Sequence, residues 1–232
     1  MVTVERYFQH HVRLWIDKLG NDISILDVGC GTGHIGLWLA GEYPLITANC
    51  QDRDYDSRHK LKDLRITGID SYKPAIDYVK RFGIYTTVWN HDLRTGFENL
   101  PNIKYNIALA YGVMAHLNKE ESLNLVQSML KVADNVIVTA PRALVQHENI
   151  DNSSEIEQLQ HKAKFECSDF EALGLETRML SYQESKGEKM TFLNTFLSPY
   201  TFALSAIHSR MNYKTHFLNK FGDGIIAWKS KK

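Results

Sequence analysis

The sequence predicts an α/β fold, a mostly parallel sheet with helices on both faces. Two observations carry that prediction. Short apolar, β-branched runs alternate with helical segments along most of the chain, the pattern that βαβ units produce. The first such run leads into residues 25–36, ILDVGCGTGHIG, which read as a buried strand, a tight turn and a helix start. Gly29, Gly31 and Gly33 stand at alternate positions there. Glycine permits backbone angles closed to other residues and lets a ligand lie against the main chain. Helix-start amides without partners would face that ligand.

The elements follow in order. Residues 3–19 suit a helix whose apolar face holds Val4, Tyr7, Phe8, Val12, Leu14, Trp15 and Leu19. A strand over 23–28 is followed by a helix over about 33–40. Residues 42–63 then form an insertion with a polar run, far longer than the usual connection of about 2–6 residues. It reads as a solvated insertion, a substrate-recognising flap or a partner site. A strand over 64–70 ends in Asp70, and a helix runs from near Pro74 to about 82. A carboxylate at that strand end can accept from two hydroxyl groups, or it can cap the helix that follows. Further strands are expected over 84–89, 105–111, 135–140, 175–183 and 222–229. Asn118-x-x-Glu121 reads as a capping box for a helix reaching about 132; Ser168-x-x-Glu171 reads as another, with Gly174 at its helix end. Residues 184–221 form a second insertion, whose apolar stretch 190–207 is interrupted by Pro199. It fits core packing, a cap over a pocket, a dimer contact or a peripheral membrane contact.

Composition narrows the function. A chain of 232 residues, 44% hydrophobic, is expected to form one domain, 1–232. Lysine plus arginine equals aspartate plus glutamate at 27 each, which disfavours nucleic-acid binding by long-range attraction. Three cysteines, Cys30, Cys50 and Cys167, show no paired spacing, and a reduced, cytoplasmic setting fits them. The first residues carry early charges and no apolar signal core, and no apolar run reaches the ~20 residues that span a bilayer. The histidines and cysteines make no closed zinc spacing, so no metal is expected.

Residues 25–33, ILDVGCGTG, resemble the first motif of the class I S-adenosylmethionine-dependent methyltransferases. The resemblance implies a Rossmann-like methyltransferase sandwich with a mostly parallel seven-stranded sheet and an antiparallel last strand. It implies S-adenosyl-L-methionine as cofactor, held by Asp27, Gly29, Cys30, Gly31 and Gly33 in the first motif. Asp70 would serve the ribose, with Ser71 a further cofactor-binding candidate beside it; Asp92 and the Leu93 amide would serve the adenine, unless Asp92 is a turn residue only; and Tyr111, at the end of the fourth strand, is also expected to bind the cofactor. In relatives of this fold the leading helix lies near the pocket, which brings His10 and His11 into view either as substrate-facing or as surface residues. After the fourth strand, YGVMAHLNKEE resembles a Glu-x-x-Glu-His-Leu segment of small-molecule methyltransferases, with Gly112 and Ala115 in place of both glutamates. His116 matches, and an unperturbed imidazole titrates near neutral pH, so it is the candidate general base, or else a structural residue at the helix entry. His147 and His161 are weaker candidates. A looser resemblance, to a poorly characterised subgroup of the family, rests on Pro141, Gln146, Asp151, Asn152, His161, Asp169 and Phe170.

The expected activity is methyl transfer to an oxygen or nitrogen of a small molecule, sugars and lipid-linked acceptors among the classes left open. No Asp/Asn-Pro-Pro-Tyr/Phe motif and no Pro-Cys nucleophile occur, which disfavours DNA-base acceptors. Two other readings compete. Gly31, Gly33 and Gly36 spell Gly-x-Gly-x-x-Gly, the fingerprint of NAD-dependent oxidoreductases, although Asp70 comes later than that pattern expects. The missing glutamates also suit a non-catalytic S-adenosylmethionine-binding subunit. The oligomeric state is not legible.

Overall fold

A computed structural model describes residues 4–40, 64–97, 100–101, 103–143, 161–180 and 224–231. Among the described residues, seven strands form one sheet: β1 (Ile23–Val28), β2 (Leu64–Asp70), β3 (Thr87–Asn90), β4 (Tyr105–Ala110), β5 (Ala133–Pro141), β6 (Glu176–Leu180) and β7 (Gly224–Lys229). Their order across the sheet is β3-β2-β1-β4-β5-β7-β6. β1 to β5 pair in parallel. β7 pairs antiparallel with both β5 and β6, as expected for the last strand.

Parallel strands bury both faces, which is why these segments are apolar almost without alternation. Ile23, Ile25, Ile107 and Leu109 point to one side, where α1 (Val4–Leu19), α2 (His34–Leu39) and α3 (Lys73–Val79) pack through Phe8, Ile35 and Ile76. Leu26, Val28 and Ala108 point to the other, against α4 (Lys119–Val132) and α5 (Cys167–Glu171) through Leu125, Met129 and Phe170. Helices therefore cover both faces. Among the described residues, no helix is long and apolar enough to cross a membrane.

Several boundaries differ from expectation. The buried stripe of α1 is Val4, Phe8, Val12, Trp15 and Ile16, while Leu14 and Leu19 face outward, 50% and 39% exposed. Leu14 lies two positions beyond Val12, on the far side of a helix with 3.6 residues per turn. β3 begins at Thr87 rather than 84, because the chain around Tyr85 first turns its side chain inward. The box at the start of α4 forms as expected: Glu121 N–H donates to Asn118 Oδ1 at 2.9 Å, and Asn118 N–H donates to Glu121 Oε2 at 2.9 Å. The box at Ser168 does not. Glu166 caps α5 with Asp169 as its reciprocal partner, and Ser168 lies inside the helix. Both insertions, 42–63 and 184–221, lie outside the described residues, as do the stretch 190–207 and Gln146, His147, Asp151 and Asn152.

Candidate active site

The strand order reverses between β1 and β4, and open α/β sheets place ligands beyond the carboxyl ends of their strands at such a point. The glycine bend occupies that position. Gly29 and Cys30 both donate their N–H to Ile69 O, at 2.7 and 3.0 Å, so β2 anchors the bend as it leaves β1. Gly33 N–H closes the turn on Cys30 O at 2.8 Å. Gly29 has φ 72°, and a Cβ there would lie 2.2 Å from Val113 Cγ2. Gly31 has φ 49°, and a Cβ there would meet nothing within 4 Å. The bend is thus packed at Gly29, against Val113, and open at Gly31.

Asp70 joins this bend to the next strand. Its Oδ2 accepts from Gly31 N–H and its Oδ1 from Tyr72 N–H, each at 2.8 Å. Asp70 thus ties the bend to the turn ahead of α3; the N-cap of that helix is Tyr72, and no side chain caps it. Each oxygen has a second lone pair to offer. Asn90 at the end of β3 holds the turn from its other side, donating to Asp70 O at 3.1 Å and Ser71 O at 2.9 Å. Ser71 itself is exposed.

Asp27 and Cys30 lie beneath the bend. Asp27 is 1% exposed, and Tyr85 donates its hydroxyl to Asp27 Oδ2 at 2.6 Å. Burial pushes the Asp27 carboxyl up to about 7, the Tyr85 hydrogen bond opposes that, and the charge of Asp70 adds to it. The Cys30 thiol is pushed up as well, chiefly by burial. Both side chains belong to the support of the bend.

At the end of β3, Asp92 is engaged by its neighbour. Arg94 donates its N–H to Oδ1 at 3.0 Å, its Nε to Oδ1 at 2.9 Å, and its Nη2 to Oδ2 at 2.5 Å. The side-chain hydrogen bond from Arg94 is the main reason the carboxyl sits below the usual range. The Leu93 side chain points into the core.

At the end of β4, the Tyr111 ring stands edge-on to Phe8 of α1 at 5.1 Å, and Gly112 N–H donates to Thr139 Oγ1 at 2.9 Å. His116 closes the 3-10 turn Met114–His116 and is half-buried. The His161 ring lies 5.6 Å from it, nearly perpendicular at 78°. Two main-chain bonds hold this arrangement, Lys162 N–H to Ala115 O at 2.7 Å and Phe165 N–H to Pro141 O at 2.9 Å. They stitch residues 161–165 across the exits of β4 and β5. On α1, His10 is exposed, while His11 packs against Tyr7 and Trp228 at 4.4 and 4.7 Å, its pKa lowered to about 4 mainly by burial. His11 is a packing residue. Among the described residues, no group of three or more His, Cys, Asp or Glu is placed to hold a metal ion.

The fold thus brings Gly29, Gly31, Gly33 and Asp70 together at one strand end, with Asp27 and Cys30 below them. Asp92 stands on the β3 side, and Tyr111 and His116 stand at the exit of β4. Sequence reasoning missed Tyr85, Asn90 and Arg94. Arg94 had a local signal, an arginine two residues beyond an expected site carboxylate. Tyr85 had none.

No protein-family model and no curated protein matches the chain. Solved structures do. The plantazolicin methyltransferase BamL, in complex with a triazolic desmethylPZN analog and SAH, is 15% identical with a TM-score of 0.53, covering 96% of this chain and 82% of that one. The plantazolicin methyltransferase BpumL, with SAH, is 16% identical with a TM-score of 0.50, covering 95% and 79%. Magnesium protoporphyrin IX methyltransferase from Synechocystis PCC 6803, with bound SAH, is 18% identical with a TM-score of 0.49, covering 75% of each chain. The likeness is one of fold: the chain has the Rossmann-like architecture of class I methyltransferases.

Proposed function

We propose that the chain is an S-adenosylmethionine-dependent methyltransferase acting on an oxygen or nitrogen of a small-molecule acceptor. One observation carries the reading. The Gly31 N–H to Asp70 Oδ2 bond of 2.8 Å puts an acidic strand end against an open glycine bend at the reversal of strand order. The residues fit the donor. Gly31 faces open space, so main chain can carry a ligand there. The carboxylate of Asp70 has acceptor capacity left for the two ribose hydroxyls. The two plantazolicin enzymes, solved with SAH, share this fold and support the choice of donor.

Sheet order weighs against the NAD reading. The dinucleotide fold follows 3-2-1-4-5-6, whereas this sheet inserts the reversed β7 between β5 and β6.

When bound, the donor supplies a methyl group on a sulfonium, already activated for transfer. The chain's own residues hold and align. The bend from Gly29 to Gly33 and Asp70 would fix the nucleoside amino acid. Asp92 and the Leu93 amide would take the base, with Asp92 shared between the adenine amino group and Arg94. Fixing both reactants can supply ~7–11 kcal/mol of a barrier. His116 would take the proton that an oxygen or nitrogen acceptor must lose, with His161 beside it to orient the ring.

The test is product formation. Incubated with S-adenosylmethionine and a cell extract, the chain is expected to accumulate S-adenosylhomocysteine with time. Donor binding without product points to a non-catalytic subunit. Nicotinamide turnover without product points to an oxidoreductase.

A further inference from the structure

Tyr85 is 58 residues from Asp27 in sequence, yet its phenol lies directly under the bend. Two glycines make room for it. A Cβ on Gly36 would lie 2.5 Å from the Tyr85 hydroxyl, and one on Gly68 2.9 Å from its ring. Gly68 is the β2 partner of Asp27 in the sheet register. With no side chain on Gly68, the ring can cross β2 and reach the carboxylate on β1. The hydroxyl then does two things. It donates to Asp27 Oδ2 at 2.6 Å and accepts from Gly36 N–H at 3.2 Å. The residues on either side of the bend, Asp27 before it and Gly36 after it, are tied to a single oxygen.

We infer that Tyr85 is a positioning residue of the donor site, a strut that fixes the glycine bend against β2 by joining Asp27 to the first turn of α2. The inference rests on the donor reading above and adds a residue to it. Without the hydroxyl, Asp27 would be buried beside the ring with its hydrogen-bond donor gone, and Gly36 N–H would lose its acceptor. The bend would keep its anchor on Ile69 O, and it would lose the tie from below. Other ionisable groups around Asp27 are Cys30 in the bend, neutral because its thiol is pushed up, and Asp70 on β2, whose charge acts in the same direction as burial.

The experiment compares wild type with Tyr85→Phe, which keeps the ring among its glycines. Two quantities are read: S-adenosylmethionine affinity by calorimetry, and the titration of the Asp27 carboxyl carbon by NMR. The variant is expected to bind the donor about tenfold more weakly, the effect of one lost hydrogen bond to a charged group. The Asp27 midpoint is expected to rise relative to wild type, because the hydrogen bond that stabilised the ionised form is gone. Passive ring packing would move neither. A donor affinity within about twofold of wild type, or an unmoved Asp27 midpoint, overturns the assignment. If wild type itself gives no heat with S-adenosylmethionine, the donor reading fails and takes this role with it, an outcome distinct because both proteins are then silent. Should Tyr85→Phe fail to fold, Gly36→Ala makes the same test by pushing the hydroxyl off Asp27 while placing a better helix former in α2. It is expected to give the same pair of shifts, and their absence overturns the strut.

Discussion

Asp27 stands where the alternation Ile23, Ile25 would put a third apolar side chain into the core beneath α2. A carboxylate there is costly to ionise, and the cost sets a direction for stability against pH. Its pKa is raised from 3.8 to about 7 in the folded chain. The folded state therefore holds a proton that the unfolded state releases between those values, so this residue's contribution is complete below about pH 4 and is lost as pH rises through about 7. The loss is on the order of 4 kcal/mol. Asp27→Asn cannot ionise. In denaturant melts the variant's stability relative to wild type is expected to climb from pH 5 to pH 8. A difference that stays flat with pH would show that the carboxyl titrates normally. Legibility at this scale followed sequence distance. Asp27, Gly29, Gly31 and Gly33 form one short run whose glycines demand a bend, and Asp70 closes a strand that reads clearly. Tyr85 meets Asp27 across 58 residues, and no local pattern announces such a contact. The Arg94 pairing with Asp92 was two residues away and missed all the same, because a charge beside an expected site looks like solvated surface.

The segment from the end of β4 to the start of α4 is where residues become a working element. Met114–His116 forms one 3-10 turn, Leu117 follows in extended conformation, and Asn118 caps the helix with Glu121. The cap fixes where α4 starts, and so fixes how the preceding turn presents His116. His116→Ala is expected to slow methyl transfer by about 10²–10⁴, the range for a positioned acid or base, while donor affinity stays near wild type. A normal rate would return His116 to a structural role at the helix entry. The pattern behind this cap was readable because Asn is a preferred capping residue with Glu at the right offset. At α5 two overlapping pairs met the same spacing, Ser168 with Glu171 and Glu166 with Asp169, and local preference chose the wrong one. The N–H of Glu166 donates to Asp169 at 2.9 Å and starts the helix earlier. Strand cores were legible from their apolar runs, while the start of β3 was not, because Tyr85 is a good strand residue that the fold uses to reach Asp27.

Across the whole molecule, the sheet order gathers the described site. Sequence alternation pointed to a parallel α/β sheet, and the glycine motif pointed to which one; the pairing of β7 between β5 and β6 is a long-range fact that no local signal carries. The order places β1 beside both β2 and β4, so the bend, Asp70 and the His116 turn share one edge of the sheet. That edge is the proposed nucleoside amino acid site. Calorimetry of wild type and Asp70→Ala with S-adenosylmethionine and, separately, with NAD tests this most directly. Heat with S-adenosylmethionine, a loss of at least about tenfold in affinity on removing Asp70, and no heat with NAD is the predicted result; heat with NAD and none with S-adenosylmethionine would contradict it.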